Sequence, residues 1–202
     1  MNGHERRAAA TREAIKDAML ELLGKTPFTY VTISGLCREA KVGRATFYSH
    51  YDGLTDVLDE LAADAIDATS EAKRSTIEGI SQLAQKMRET TDPEALSPFM
   101  DLLPVCQRVA DNPKYKVLFT DNFVSEYIIM NIYRREREKI VPDFLRAYHL
   151  TPEQADKLFL FGIYGAFAVN QSLGWKKDGD WYQIQKALLT FLAGGYDALK
   201  QL

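Results

Sequence analysis

The stretch TISGLCREAKVGRATFYSHYDGLTDVL, residues 32–58, determines the fold that the sequence predicts. Thr32 is a good helix N-cap, and apolar residues follow it at helical spacing. These are Ile33, Leu36, Cys37 and Ala40. The sequence KVG at 41–43 interrupts the pattern, and a second short helix is predicted to begin near Gly43 or Arg44. Two short helices joined by a turn of about three or four residues form a helix-turn-helix.

The second helix of this pair lies within VGRATFYSHY, residues 42–51, and is predicted to end near Asp52 and Gly53. Phe47 and Tyr51 are four residues apart, so both can pack against the preceding helices. The opposite face carries small and polar side chains, which offer little apolar area for a protein contact. That face comprises Arg44, Ala45, Thr46, Tyr48 and Ser49.

The rest of the chain also shows helical periodicity, so we predict an all-α fold. In the first helix the apolar stripe is Ile15, Met19, Leu22 and Leu23, and Gly24 and Pro27 end it. Further helices are predicted near 54–70, 75–90, 94–110, 114–147, 152–173 and 180–199. Four prolines between residues 93 and 113 indicate that the helices in that region are short or broken.

Charge is distributed unevenly along the chain. The formal net charge is −3, but residues 1–51 carry eight basic and five acidic side chains and the remainder has a net charge of −6. This asymmetry suggests a basic module fused to an acidic body. A basic module is compatible with a nucleic-acid partner, although the total charge alone argues against one.

Other functional classes lack support in the sequence. Cys37 and Cys106 belong to no CxxC motif and are expected to be buried thiols, and the three histidines are widely dispersed. We therefore expect no metal site, no cofactor and no catalytic activity. The N-terminus has charges where a signal peptide needs an apolar run, and no long charge-free apolar segment follows. A protein in the cytoplasm, with no membrane partner, is the expectation.

The pattern of residues 32–58 resembles the DNA-binding domain of the TetR family of bacterial transcriptional regulators. The shared features are a Thr cap, a short helix, and a second helix of the form Arg-Ala-Thr-Phe-Tyr-x-His. The resemblance implies a three-helix DNA-binding domain at 1–53 and a helical ligand-binding and dimerisation domain at 54–202. Three positions depart from the family pattern, because Lys41, Gly43 and Leu54 replace its usual glycine, serine and lysine. Fewer phosphate contacts, and hence weaker DNA binding, are expected from these changes.

The same resemblance implies roles for individual residues. Arg44 would contact a base or a phosphate, and an arginine can bind guanine bidentately. Ala45 would allow close approach to the DNA, and Thr46, Tyr48 and His50 would hydrogen-bond phosphate or base edges. Thr32 and Ser34 begin the preceding helix, whose amides can receive a phosphate. Capping alone explains Thr32 equally well.

Two further sites are expected in the C-terminal domain. Residues that could line a small-molecule pocket are Leu83, Met87, Met100, Leu103, Phe119, Phe123 and Tyr127, with Arg108 and Asn131 as polar anchors. Residues that could form a dimer interface are Phe159, Ile163, Ala166, Phe167 and Asn170. Ordinary core packing is the competing explanation for both sets.

The leading hypothesis is a ligand-responsive transcriptional regulator that binds a palindromic, double-stranded operator as a homodimer, with an unidentified small-molecule effector. Repression is the action that the family resemblance implies. One alternative is a helical interaction protein that kept the fold and lost DNA affinity. A helical-bundle enzyme is the other alternative, and it lacks a recognisable catalytic constellation.

Overall fold

The computed structural model describes residues 3–69, 77–90, 99 and 101–201, and the regular secondary structure of these residues is entirely helical. The α-helices described are α1 (Gly3–Leu23), α2 (Ile33–Glu39), α3 (Arg44–Tyr48), α4 (Leu54–Asp67), α5 (Ile77–Glu89), α6 (Val105–Asp111), α7 (Asn122–Ala147), α8 (Pro152–Ser172) and α9 (Gly179–Leu199). Short 3₁₀ turns cover Phe28–Tyr30 and Lys116–Phe119. The predicted all-α class and the N-terminal helix-turn-helix are confirmed.

Some predicted helix ends differ from the structure. Helix α3 ends at Tyr48, not near Asp52, because Ser49 caps it and the Ser49 hydroxyl donates to the carbonyl of Thr46 at 2.7 Å. The long helix expected at 114–147 begins only at Asn122. There Asp121 acts as an N-cap, with its Oδ1 accepting from the amide of Val124 at 2.9 Å.

The helix expected at 94–110 is confirmed only in its last part. Helix α6 begins directly after Pro104, which fits the preference of proline for the start of a helix. Residues 91–98 and 100 lie outside the described part of the chain, so the prediction for them is untested.

The chain divides into two compact units, and α7 contributes residues to both. Unit 1 consists of Met1–Asp67 and Ala110–Asn131, and unit 2 consists of Ala68–Val109 and Ile132–Leu202. In unit 1, α1 packs against α2 and α4, and α2 packs against α3. The functional boundary expected after residue 53 stays a prediction.

Unit 2 is built mainly around the packing of α5 against α9. A buried cluster joins these helices to the segment before α6 and includes Leu83, Met87, Leu103, Trp181, Tyr182 and Leu189. The predicted N-terminus of α8 is confirmed, since Thr151 and Gln154 form a capping box with Pro152 in the first turn. Gly174, with φ of 59°, follows that helix as predicted.

Helix α8 is less buried than its apolar sequence predicts. Ile163 and Phe167 are buried, but Phe161 on the same helix is 62% exposed. Helix α9 has a similar exposed aromatic residue, Phe191, which is 68% exposed. No helix in the described ranges is long and apolar enough to cross a membrane.

Candidate nucleic-acid interface

Helix α2 is fixed at both ends by local hydrogen bonds. The Thr32 side chain accepts from the amide of Gly35 at 3.0 Å, so the capping role predicted for Thr32 is confirmed. At the other end the amide of Val42 donates to the carbonyl of Cys37 at 2.9 Å, and the amide of Lys41 donates to Arg38. This pair of bonds is a Schellman motif, which sets the direction in which the chain leaves α2.

Lys41 occupies the left-handed position of that motif, with φ of 57°. Glycine is the usual residue there because a Cβ atom crowds the neighbouring carbonyl in this conformation. The turn therefore keeps the geometry that a glycine would favour, at some cost in backbone strain. An exposed ammonium group is the chemical difference that lysine adds at this place.

One aromatic side chain holds α3 in place. Phe47 is fully buried, and its ring lies 5.8 Å from the ring of Tyr51, which is also buried. Helix α3 is only five residues long, so its own hydrogen bonds do not stabilise it alone and it depends on this packing. The inward orientation predicted for Phe47 and Tyr51 is confirmed.

The remaining side chains of α3 face away from that contact. Arg44, Ala45 and Thr46 are exposed, and Tyr48 is 48% exposed with its ring edge against Phe47. Within the described residues, the Arg44 guanidinium forms no hydrogen bond or ion pair. The exposed side of α3 is thus polar and carries a positive charge that no described carboxylate neutralises.

The other residues expected at the interface have mixed environments. Ser34 is exposed in the first turn of α2, and His50 is half-buried after α3. At the start of α4, Asp56 accepts from the amides of Asp52 at 2.7 Å and Gly53 at 3.1 Å. These two amides are already bonded, so a phosphate would find fewer donors there. Contacts with DNA stay predictions for all seven residues.

An ion-pair network ties the end of the helix-turn-helix to α1 and α4. The Tyr51 hydroxyl donates to Oε2 of Glu60 at 2.6 Å, and Nε of Arg12 donates to Oε1 of the same carboxylate at 3.1 Å. Lys16 lies almost fully buried beside them, 3.3 Å from Glu60, and also pairs with Asp64 and Glu13. The network fixes the position of α3 within unit 1.

These contacts change the acidity of the groups involved. Burial opposes ionisation of Glu60, but hydrogen bonds from Tyr51 and Arg12 outweigh it, so its pKa is lowered. Burial lowers the pKa of Lys16, yet bonds to Asp64 and Glu13 more than compensate and the pKa is raised. Burial and the Glu60 carboxylate raise the pKa of Tyr51. At neutral pH Glu60 and Lys16 are therefore charged, and Tyr51 is a neutral donor.

Sequence reasoning missed this network. Lys16 stands beside the predicted apolar stripe, and lysine is usually exposed, so nothing local marked it as buried. Its partner Asp64 is 48 residues away in the chain. The only available signal was a charged residue next to Ile15 on the inward side of α1.

The residues expected to line a ligand pocket fall in both units. Leu83, Met87 and Leu103 belong to the buried cluster of unit 2, whereas Phe119, Phe123, Tyr127 and Asn131 belong to unit 1. Arg108 donates to the backbone carbonyls of Asp101 at 2.9 Å and Leu103 at 2.7 Å, and Met100 lies outside the described residues. Their role as a pocket stays a prediction.

Most of the residues expected at a dimer interface are buried within unit 2. Ile163, Phe167 and Asn170 are buried, and the Asn170 side chain accepts from the indole of Trp181 at 2.8 Å. Phe159 and Ala166 are partly exposed. The assignment stays a prediction, and the more exposed Phe161 lies on the same helix.

Comparison with known proteins identifies one related segment. No family model matches this chain. The curated protein "Uncharacterized HTH-type transcriptional regulator YxbF" of Bacillus subtilis (strain 168) is 40% identical over 55 residues, which is 27% of this chain. The match spans only 14% of that relative's own length.

A solved structure that aligns with this chain is the dihydroxyacetone kinase operon activator DhaS, at 14% sequence identity. Its alignment covers 94% of this chain and 97% of that one, with a TM-score of 0.47.

Among the described residues of this chain, no group of His, Cys, Asp and Glu could hold a metal ion, and both cysteines are buried and free.

Proposed function

We propose that this chain is a DNA-binding transcriptional regulator of the TetR type, and that α3 is its recognition helix. The observation that carries the proposal is the division of α3 into a buried side, Phe47, and an exposed polar side that includes Arg44 and Tyr48. A short helix held by one aromatic anchor, with a cationic outer face, can enter a major groove. The name of the B. subtilis relative supports the same class.

The proposed residue roles divide into base and phosphate contacts. Arg44 is in the first turn of α3 and reads a base edge, because its guanidinium extends freely from the exposed face. Tyr48, Thr46 and His50 contact phosphates and set the register of the helix in the groove. Ala45 allows close approach, and Thr32 and Ser34 contact a phosphate at α2.

The proposed assembly is a homodimer held by α8 and α9 that binds a palindromic operator, with repression as its action. Phe161 and Phe191 are the most exposed aromatic side chains on these two helices. A Cβ atom added at Gly165, Gly194 or Gly195 would meet nothing within 4 Å beyond its chain neighbours and the backbone of its own helix, so a partner helix could approach closely there. Two recognition helices would then reach successive major grooves about 34–36 Å apart.

The test is selection of bound duplexes from a random DNA pool by the purified full-length protein. We expect enrichment of a palindromic motif. Arg44→Ala should weaken binding to that motif by about 1–3 kcal/mol and relax preference at one base position per half-site. Arg88→Ala, an exposed arginine on α5, is the control and should bind like the parent.

Tyr48→Phe separates phosphate contacts from base contacts. It should weaken binding to all duplexes alike, because it removes a hydrogen bond that carries no sequence information. Loss of Arg44 should leave the salt slope nearly unchanged if it reads a base, and should flatten it by about one unit if it pairs with phosphate. Enrichment of no motif, with both variants behaving like the parent, would favour the interaction-protein alternative.

A further inference from the structure

Unit 2 contains a cavity of about 190 Å³ lined by residues of α5 to α9 and Pro104. Most of the lining is aliphatic or aromatic, with Ile163, Leu189 and Phe144 among its buried members. Phe161 and Phe191 also line it and are largely exposed, so they mark its open side. Within this apolar lining, the few polar groups determine what could bind.

Two of these polar groups are a pair of buried glutamines from α6 and α9. Gln107 is 1% exposed and Gln185 is 3% exposed. Nε2 of Gln107 donates to Oε1 of Gln185 across 3.4 Å, which is a long hydrogen bond. The other two amide atoms, Oε1 of Gln107 and Nε2 of Gln185, have no hydrogen-bond partner in the described structure.

The unused atoms are one acceptor and one donor. Rotating both amides by 180° exchanges the roles of the two residues and still leaves one acceptor and one donor. Buried amide atoms without partners destabilise a fold, so such a pair is unusual in ordinary core packing. Both atoms are fully buried, so the two side chains must rotate toward the cavity before a ligand that offers a donor and an acceptor side by side can satisfy them.

The charges around the cavity restrict the ligand further. Glu136 lines the cavity and pairs with Lys139 at 3.0 Å, and among the described lining residues there is no lysine or arginine. Burial raises the pKa of Tyr196, another lining residue, to about 12, so its phenol is neutral. An anionic ligand would lose its hydration without gaining a cation.

We propose that the cavity binds a neutral small molecule whose carboxamide, lactam or imide group faces Gln107 and Gln185 and whose body is apolar. A cavity of about 150 Å³ accepts benzene, so this one has room for a single ring with a short head group. The role of this ligand as an effector of DNA binding rests on the proposed function. Binding of the ligand in the cavity does not depend on the proposed function.

The experiment measures binding of three probes to the full-length protein by isothermal titration calorimetry. Benzamide carries the proposed head group, benzoate carries an anion of the same shape, and toluene carries no polar group. We expect benzamide to saturate one site per protomer and to bind at least tenfold more tightly than the other two.

Variants identify the site. Gln107→Leu/Gln185→Leu removes both unused atoms together and should reduce the preference for benzamide over toluene at least tenfold. Gln183→Leu, an exposed glutamine on the same helix as Gln185, is the matched control and should keep the preference. Gln185→Met, which nearly preserves the side-chain shape, gives the same comparison if the double variant fails to fold.

Three results would overturn the proposal: no saturable benzamide binding, equal binding of the three probes, or an unchanged preference in the Leu and Met variants. The same preparation is used for duplex selection, which separates the two proposals. If a palindrome is selected but benzamide does not bind, the ligand proposal is wrong and the proposed function is supported. Benzamide binding that depends on the glutamines, without duplex selection, would support the ligand site and count against the proposed function.

Discussion

The hydroxyl of Tyr51 donates a 2.6 Å hydrogen bond to the carboxylate of Glu60, and this bond joins the segment after α3 to α4. Glu60 also accepts a hydrogen bond from Arg12 of α1, so one carboxylate connects three parts of unit 1. The orientation of α3 is thus set by side-chain bonding as well as by the burial of Phe47.

Tyr51→Phe should keep the ring packing and lose only this bond. A hydrogen bond to a charged group contributes about 1.5–3 kcal/mol, and Glu60 retains Arg12 and Lys16, so we expect a loss near 1 kcal/mol. Urea unfolding followed by circular dichroism measures it. Tyr30→Phe, at a tyrosine that is 75% exposed, is the control and should leave the unfolding midpoint in place. Equal midpoints for all three proteins would contradict a structural role for the bond.

The lowered pKa of Glu60 makes the stability of unit 1 depend on pH. A carboxyl with a depressed pKa stabilises the fold above its unfolded value, about 4.3, and that contribution is lost as pH falls through the folded pKa. We expect the parent to lose more stability than Glu60→Gln between pH 5 and pH 3. Parallel curves of unfolding free energy against pH for the two proteins would show that Glu60 is not responsible.

Lys41→Gly should stabilise the protein, because Lys41 has a φ of 57°. Relief of left-handed strain outweighs the greater entropy of glycine in the unfolded chain, and a net gain of about 0.5–1 kcal/mol is expected. Ala40→Gly, at a residue with φ of −71°, is the control and should be destabilising. If both variants lose stability, the turn is not strained.

Asp121 ties the 3₁₀ turn at Phe28 to the start of α7. Its Oδ2 accepts from the amide of Phe28 at 3.0 Å, and its Oδ1 caps α7 through Val124. Asp121→Ala removes both bonds and should cost about 2 kcal/mol, whereas Asp121→Asn keeps one acceptor oxygen and should cost about half of that. Chemical denaturation of the parent and the two variants gives the order of their unfolding free energies. If Asp121→Asn lost more stability than Asp121→Ala, Asp121 would not have both of these roles.

Phe161→Glu should convert the proposed dimer into monomers, because a charge at the centre of an apolar interface would be buried without a partner. Sedimentation equilibrium at several concentrations measures the change. Leu145→Glu, at an exposed apolar residue of α7, is the matched control and should remain dimeric. If the Phe161→Glu variant remains dimeric, the dimer interface does not lie on this part of α8.

Local features of the fold were predictable from the sequence. Thr32 caps α2 and Phe47 faces inward because capping and helical spacing act over three or four residues. The helix-turn-helix followed from these signals and from the break in periodicity at residues 41–43. Helix ends were less predictable, since the start of α7 depends on Asp121, which also serves the distant Phe28.

The candidate sites were less accessible to sequence reasoning, because their key contacts join distant parts of the chain. Gln107 and Gln185 are 78 residues apart and carry no periodic signal. The neighbouring Arg108 was expected to anchor a ligand, but it donates to the carbonyls of Asp101 and Leu103. The sequence does not show which backbone carbonyls will accept a hydrogen bond from a given arginine.

Phe161 and Phe191 line the open side of the unit 2 cavity and are also the residues through which we expect two copies to associate. A partner helix packed on these rings would close the route by which a ligand enters and leaves. The residence time of a bound molecule would then follow the lifetime of the dimer, and the rate of ligand entry would fall as protein concentration rises.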